Sequence, residues 1–284
     1  RYGLRDKTGT RRPAADVVEG FYTDTQRVFA FPSGTSPPSA PHGLLLLGWG
    51  LLVLLAGLYA RSPFVRQTAL RYFAAHGFYR DAVRKGRDVS ATMNASLLLV
   101  VATALGLTAT VLFRIAALQP ITEHVLAALP SLLRSLAAGG IAHPTLAGVV
   151  IGGSTFGLLG GWALAFVLAA RSETSFSLGQ GLMLVTWPCW PALAGMVLAL
   201  IATTDPPFSP LVLGAVFVGG GLTTIVAVTA RVLRDFWAVS PVSPALFIQL
   251  TITSPLVLVL LAAAAVLARH DVPLALLWHL LTRT

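Results

Sequence analysis

Six apolar runs constrain this chain more than any other feature. They cover residues 43–60, 95–117, 146–170, 179–202, 210–232 and 245–268. Asp, Glu, Lys and His are absent from all of them, and the two arginines they contain, Arg114 and Arg231, stand near ends. A long guanidinium stem reaches the interface from such a position. Inside a hydrocarbon slab the backbone is satisfied only in helices or closed barrels. The runs lack the strict alternation of barrel strands, so they read as helices. Spanning takes about 20 residues, and 43–60 is the shortest of the six. The fold class is therefore all-α: a polytopic membrane helical bundle with about six transmembrane helices. Composition agrees. Charged residues make up 11%, against about 25% in a soluble domain, and mean hydropathy is +0.77. Soluble, disordered and disulfide-scaffold classes are excluded.

Charge sets the expected topology. The net charge is +9, which in a soluble chain would suggest nucleic acid. Here the cations collect between spans, where the positive-inside rule accounts for them, and no nucleic-acid partner is expected. The connection 61–93 holds Arg61, Arg66, Arg71, Arg80, Arg84, Lys85 and Arg87 against Asp81 and Asp88. It is placed in the cytoplasm, and the chain in the inner (cytoplasmic) membrane. Alternation then puts 171–178 and 231–244 on the same side. The tail before residue 43 carries six cations yet falls outside by parity. Most lie too far from the first span for the rule to bind them. A re-entrant 43–60 would instead bring the tail inside. The chain opens on Arg1 rather than Met, which leaves room for a preceding segment.

The chain divides into three regions. Residues 1–42 are a polar, Pro-rich tail, 43–268 the transmembrane domain, and 269–284 a short amphipathic C-terminal tail. Within the basic loop, 64–86 reads as an amphipathic interfacial helix. Val65, Ala69, Tyr72, His76, Tyr79 and Val83 share one side at helical spacing, with arginines elsewhere. Such a segment lies flat on anionic lipid or packs on the bundle, and Gly77 is a candidate break. A second amphipathic piece, 118–137, belongs to the opposite side.

Several constellations stand out. The third span sets Gly153, Gly157, Gly161, Ala165 and Ala169 one turn apart, and Ala215 and Gly219 echo this in the fifth. Small residues let helix backbones approach closely, within the chain or against a partner. Trp187-Pro188-Cys189-Trp190-Pro191 interrupts the fourth span, because each proline removes a backbone donor. With Gln249 and Thr253 at the polar start of the sixth, it is a candidate wall of a ligand or lipid cavity. Arg66, Arg71, Arg80, Arg84, Lys85 and Arg87 form a candidate membrane-surface patch. His124, His143, His270, Asp271 and His279 fall on the proposed outer side at spacings that fit no zinc motif. No metal, cofactor or catalytic set is assigned, and bound lipid is expected. Cys189, the single cysteine, reads as an apolar filler.

The order of features resembles an uncharacterised family of bacterial multi-pass membrane proteins. The resemblance runs through Arg71-Tyr72-Phe73, Gly77-Phe78-Tyr79-Arg80, Asn94-Ala95-Ser96-Leu97-Leu98-Leu99, Thr186–Ala194 and Phe247–Leu258. The family's Glu-Ile-x-Pro stands here as Ile252-Thr253-Ser254-Pro255, without the acid. Residues 234–243 are also similar to Yip1-type membrane proteins. These resemblances imply a non-enzymatic organiser and carry no catalytic residues. The leading expectation is a non-enzymatic subunit or scaffold of a membrane complex, with lipids and other membrane subunits as partners. A passive channel or permease for a neutral or lipid-like molecule is the alternative. A lipid- or isoprenoid-modifying enzyme is the second.

Overall fold

A computed structural model describes residues 42–87, 89–118, 131–170, 176–204, 210–240 and 242–255, with a few isolated positions besides. Residues 1–41 form a separate unit by their contacts, and the helical bundle belongs to the unit that begins at His42. Every element described in that unit is helical. In chain order they are α1 (His42–Arg61), α2 (Pro63–Ala74), α3 (His76–Arg84), α4 (Ala91–Ala117), α5 (Ser131–Ala142), α6 (Pro144–Ala170) and α7 (Leu178–Thr186). A single 3₁₀ turn, Trp187–Cys189, leads to α8 (Pro191–Thr204), then α9 (Pro210–Val239) and α10 (Pro244–Ile252).

The helix starts are written in the sequence. Ser62, Ser90, Ser177 and Ser243 each accept a backbone N–H from the first turn of the helix they precede. Ser177 and Gln180 complete a reciprocal capping box. Proline opens α2, α6, α8, α9 and α10, where its missing N–H is no loss.

Among the described residues, four stretches are long and apolar enough to cross a membrane: Gly43–Arg61, Ala91–Ala117, Pro144–Ala170 and Leu178–Thr203. The last includes the 3₁₀ turn. The chain is thus a helical protein consistent with a multi-pass membrane protein. α9 runs to Val239, seven residues beyond the expected end at 232, and so carries Arg231, Arg234 and Asp235 on a continuous helix. α10 stops at Ile252, helical positions recur at 255, 257–258 and 260–261, and residues 262–268 of the expected 245–268 span lie outside the described residues.

α4 is the central helix. It packs along α6 and against α7, α8 and α1. The α4–α6 contact is a backbone approach. A Cβ on Gly106 would stand 2.5 Å from the Gly148 carbonyl oxygen. One on Gly152 would stand 2.9 Å from that of Ala102, and one on Gly148 would strike the Thr110 hydroxyl. In lipid, where apolar surface alone gives helices no reason to associate, such close packing supplies the attraction. α1 is the opposite case, with only 6% of its apolar window covered by the rest of the chain.

The expected interfacial segment is two helices, not one. The break falls at Ala75 (φ −140°, ψ 61°), immediately before α3, rather than at Gly77. The predicted inner face holds across the break. Val65, Tyr72, Tyr79 and Val83 are buried, with Ala69 and His76 half-buried. This face packs on the bundle. Leu70, Phe73 and Phe78 remain exposed on the other sides.

Candidate functional site: a buried ion cluster beside a kinked helix

Asp235 is fully buried, and it is where the loop helices meet α9. Arg80 donates from Nε at 2.8 Å and approaches with Nη2 at 2.7 Å, both on Oδ1. His76 Nε2 lies 3.0 Å from each carboxylate oxygen. Arg231, one turn earlier on α9, brings Nε to 3.4 Å from Oδ2 and lays its guanidinium over the Tyr72 ring, 5.9 Å from the centroid. His76 Nδ1 is 3.3 Å from the Tyr72 carbonyl oxygen, so both ring nitrogens face acceptors. A lone buried carboxylate would be costly; two arginines and an imidazole answer it. Aromatic rings seal the cluster. Tyr72, His76 and Tyr79 touch edge-to-face or stacked, with centroids 5.1–5.3 Å apart. Phe236, next to Asp235, stacks on Phe166 of α6 at 4.3 Å.

Other polar side chains tie the same end together. Tyr79 donates its hydroxyl to the Met183 carbonyl at 2.9 Å, and Gln180 donates to that of Val83 at 2.6 Å. Gly86, at φ +62°, makes the turn beside Gln180, a conformation natural to glycine. Asn94 is buried and engaged on both sides of its amide: Nδ2 donates to the Ser90 carbonyl at 2.9 Å, and Oδ1 accepts from Trp187 Nε1 at 3.2 Å. Connections 61–93, 171–178 and 231–244 were expected on one side. Residues from the described parts of all three meet at one end of the bundle.

Burial pushes the Tyr72 phenol from its ordinary 10.0 up to about 12, with the Asp235 charge adding to it and Arg231 opposing. Burial likewise raises Tyr79 well above 10.0. A group raised on folding stabilises the fold fully below its ordinary value and ceases to as pH climbs through its folded value. Unfolding midpoints measured in detergent are therefore expected to fall between pH 10 and about 12. Tyr79→Phe should cost about 1 kcal/mol at neutral pH, for the lost hydrogen bond. It should also lose less on going to alkaline pH than the parent chain. Parallel declines in the two proteins would refute the assignment.

The sequence-derived candidates scatter around this cluster. In the basic loop, Arg80 serves Asp235, whereas Arg84 and Lys85 pair with Asp81 at 3.0 and 2.8 Å on the exposed side. Lys85 first, then Arg84, holds the Asp81 carboxyl below its usual range. Arg66 and Arg87 are exposed and Arg71 is half-buried. The six cations are therefore not one surface patch.

The small-residue face needs correction on one point. Packing within the chain uses Gly148 and Gly152, while a Cβ on Gly153, Gly157 or Gly161 would meet nothing within 4 Å among the described residues. α6 is apolar all round, so the sequence offers two glycine faces and does not say which one α4 takes. Ala165 packs partly on the core, Gly219 is open, and the surroundings of Ala215 lie outside the described residues.

The proline pair does break the helix. Trp187, Pro188 and Cys189 form a buried 3₁₀ turn, and Pro191 starts α8. Trp187 and Trp190 line an apolar cavity of about 450 Å³. Pro191 borders a different hollow, of about 390 Å³, with Gly220 and Thr223 of α9. Gln249 and Thr253 line neither; Thr253 donates to the Gln249 carbonyl, and Leu250 beside them accepts from Trp162 of α6. The kink and the polar start of the sixth segment thus share neither of these two cavities. His143 is exposed between α5 and α6, and His124, His270, Asp271 and His279 lie outside the described residues.

Asp235 is the residue that sequence reasoning missed. A signal was present: Val232, Asp235, Phe236 and Val239 fall at i, i+3, i+4 and i+7, the spacing of a buried face. An acid at the second of those positions implies a buried counter-ion. Comparison with protein-family models, curated proteins and solved structures finds no match for this chain.

Proposed function

We propose that this chain is a non-enzymatic integral membrane subunit, a scaffold within a larger membrane complex. The observation that carries the reading is the face of α6 at Gly153, Gly157 and Gly161. These residues succeed one another by single turns, and among the described residues none stands within 4 Å of a Cβ placed on any of them. Val149, Val150 and Phe156 stand exposed on the same helix. The close-packing need of α6 inside the chain is already met by Gly148 and Gly152. A second row of small residues facing outward is a groove that another helix fits. The ionisable groups around Asp235, together with Asn94 and Gln180, are spent on one another or on backbone, which accords with a structural role.

The finer topology belongs to the same proposal. It has six spans, the tail outside and 61–93 in the cytoplasm, in the inner membrane, with lipids and membrane subunits as partners and no nucleic acid. The resemblance to uncharacterised bacterial membrane proteins and to Yip1-type organisers points the same way.

The test is purification from native membranes in mild detergent, with mass spectrometry of everything that co-elutes. A stoichiometric partner set is expected. Gly157→Leu combined with Gly161→Leu should abolish it while leaving the unfolding midpoint unchanged. A parent chain that elutes alone would defeat the subunit reading. It would favour the second one, a passive path for a neutral or lipid-like molecule, which the apolar cavity beside Trp187 and Trp190 recommends.

A further inference from the structure

The cavity of about 450 Å³ lies between α1, α2, α4 and the kinked helix. Its volume is that of a small-ligand site. Leu55 and Tyr59 of α1, Phe73 of α2, Trp187 and Trp190 of the kink, and Leu193 of α8 supply much of the wall. Only Tyr59 and Thr186, besides the tryptophan N–H groups, bring polar side-chain atoms, and the Thr186 hydroxyl donates to the Asn94 carbonyl at 3.4 Å. Water needs two or more polar partners to settle in such a space, so the lining selects hydrocarbon. One side of the wall is held in place: Trp187 is 9% exposed and donates to Asn94, and Phe73 meets Trp190 edge-to-face at 5.6 Å.

Charge on the neighbouring turns of α1 and α2 chooses the kind of hydrocarbon. Arg66 stands one turn before Leu70 and two before Phe73, on the stripe of α2 that borders the cavity. Arg61 ends α1 two residues after Tyr59. Both are exposed, and neither α1 nor α2 contains an acid. An exposed cation near the membrane surface attracts anionic headgroups. We infer that the cavity takes one acyl chain of an anionic phospholipid, with its phosphate held at Arg61 and Arg66. The inference does not rest on the subunit reading and stands for a chain that works alone.

Brominated lipid tests it, because bromine quenches tryptophan on contact. The full chain is reconstituted in phosphatidylcholine bilayers with a minor share of phosphatidylglycerol, and the acyl chains of one lipid or the other are brominated. The signal of Trp187 is the difference between the parent chain and Trp187→Phe. Since Trp187 is nearly buried, an acyl chain reaches it through the cavity. At equal mole fraction, brominated phosphatidylglycerol should quench it about tenfold more effectively than brominated phosphatidylcholine, given two arginines on the adjoining turns. Arg61→Gln with Arg66→Gln should erase that preference, and these exposed positions leave the fold intact. Ala69→Phe, or Ala194→Phe from the opposite wall, should remove the quenching by either lipid. Equal quenching by the two lipids would overturn the anionic assignment, and no Trp187 quenching would overturn the acyl-chain assignment. Loss of the preference on adding inorganic phosphate would instead mark a site for the free anion.

Discussion

Asp235→Ala is expected to lower the stability of the folded chain by about 3 kcal/mol, read as the unfolding midpoint in mild detergent. The substitution strands Arg80, Arg231 and His76 around a buried gap. Removing one member of a buried ion pair costs about 3–5 kcal/mol, because the remaining charge stays desolvated. The lower end applies here. Arg80 and Arg231 side chains are 27% and 37% exposed and can turn toward water. Asp235→Asn keeps the volume and one acceptor oxygen, so it should fall between the variant and the parent. Protease should cut 63–84 faster in Asp235→Ala, since the α2–α3 pair loses its hold on α9. A parent-like midpoint with unchanged cleavage would show that apolar packing alone docks the pair.

Gly148→Val is expected to be comparably damaging, at about 3 kcal/mol or more. Its Cβ alone would stand 2.5 Å from the Gly106 carbonyl oxygen and strike Thr110. Backbone cannot move aside as a flexible side-chain tip does, so α4 and α6 must separate along their contact. Gly153→Val, five residues on, meets no described residue within 4 Å and should leave the midpoint where it was. The pair of variants is compared in the same detergent. Equal loss in both would mean that helix propensity, and not the α4–α6 approach, is what valine disturbs.

Much of the architecture could be read from residues alone, for a definite reason. Lipid punishes exposed backbone and buried charge so heavily that apolar run length marks the long helices. Inside α6 the same uniformity hides information. A helix that is apolar all round has no preferred face, and Gly148 and Gly153 look alike until α4 is in place. The inner side of 64–86 was legible because its arginines and aromatics separate at helical spacing. Asp235 was not, because its meaning depends on His76 and Arg80, far away in the chain. The local sequence shows one acid in a basic stretch. A link between the kink and Gln249 is not legible either, since adjacency of two helices is not written in the sequence of each.

The separation of these partners along the chain fixes an order of assembly. His76 and Asp235 are 159 residues apart, and Tyr79 and Met183 are 104 apart. Synthesis runs from the N-terminus. The α2–α3 pair is therefore complete long before its partners on the kinked helix and on α9 exist. Asn94 finds Trp187, Val83 finds Gln180 and Tyr79 finds Met183 when the kinked helix arrives, and only the end of α9 delivers the carboxylate. Until then His76 and Arg80 belong to an unfinished surface. A nascent chain that stops short of residue 235 carries that basic, aromatic surface uncovered, a visible mark that the bundle has not closed.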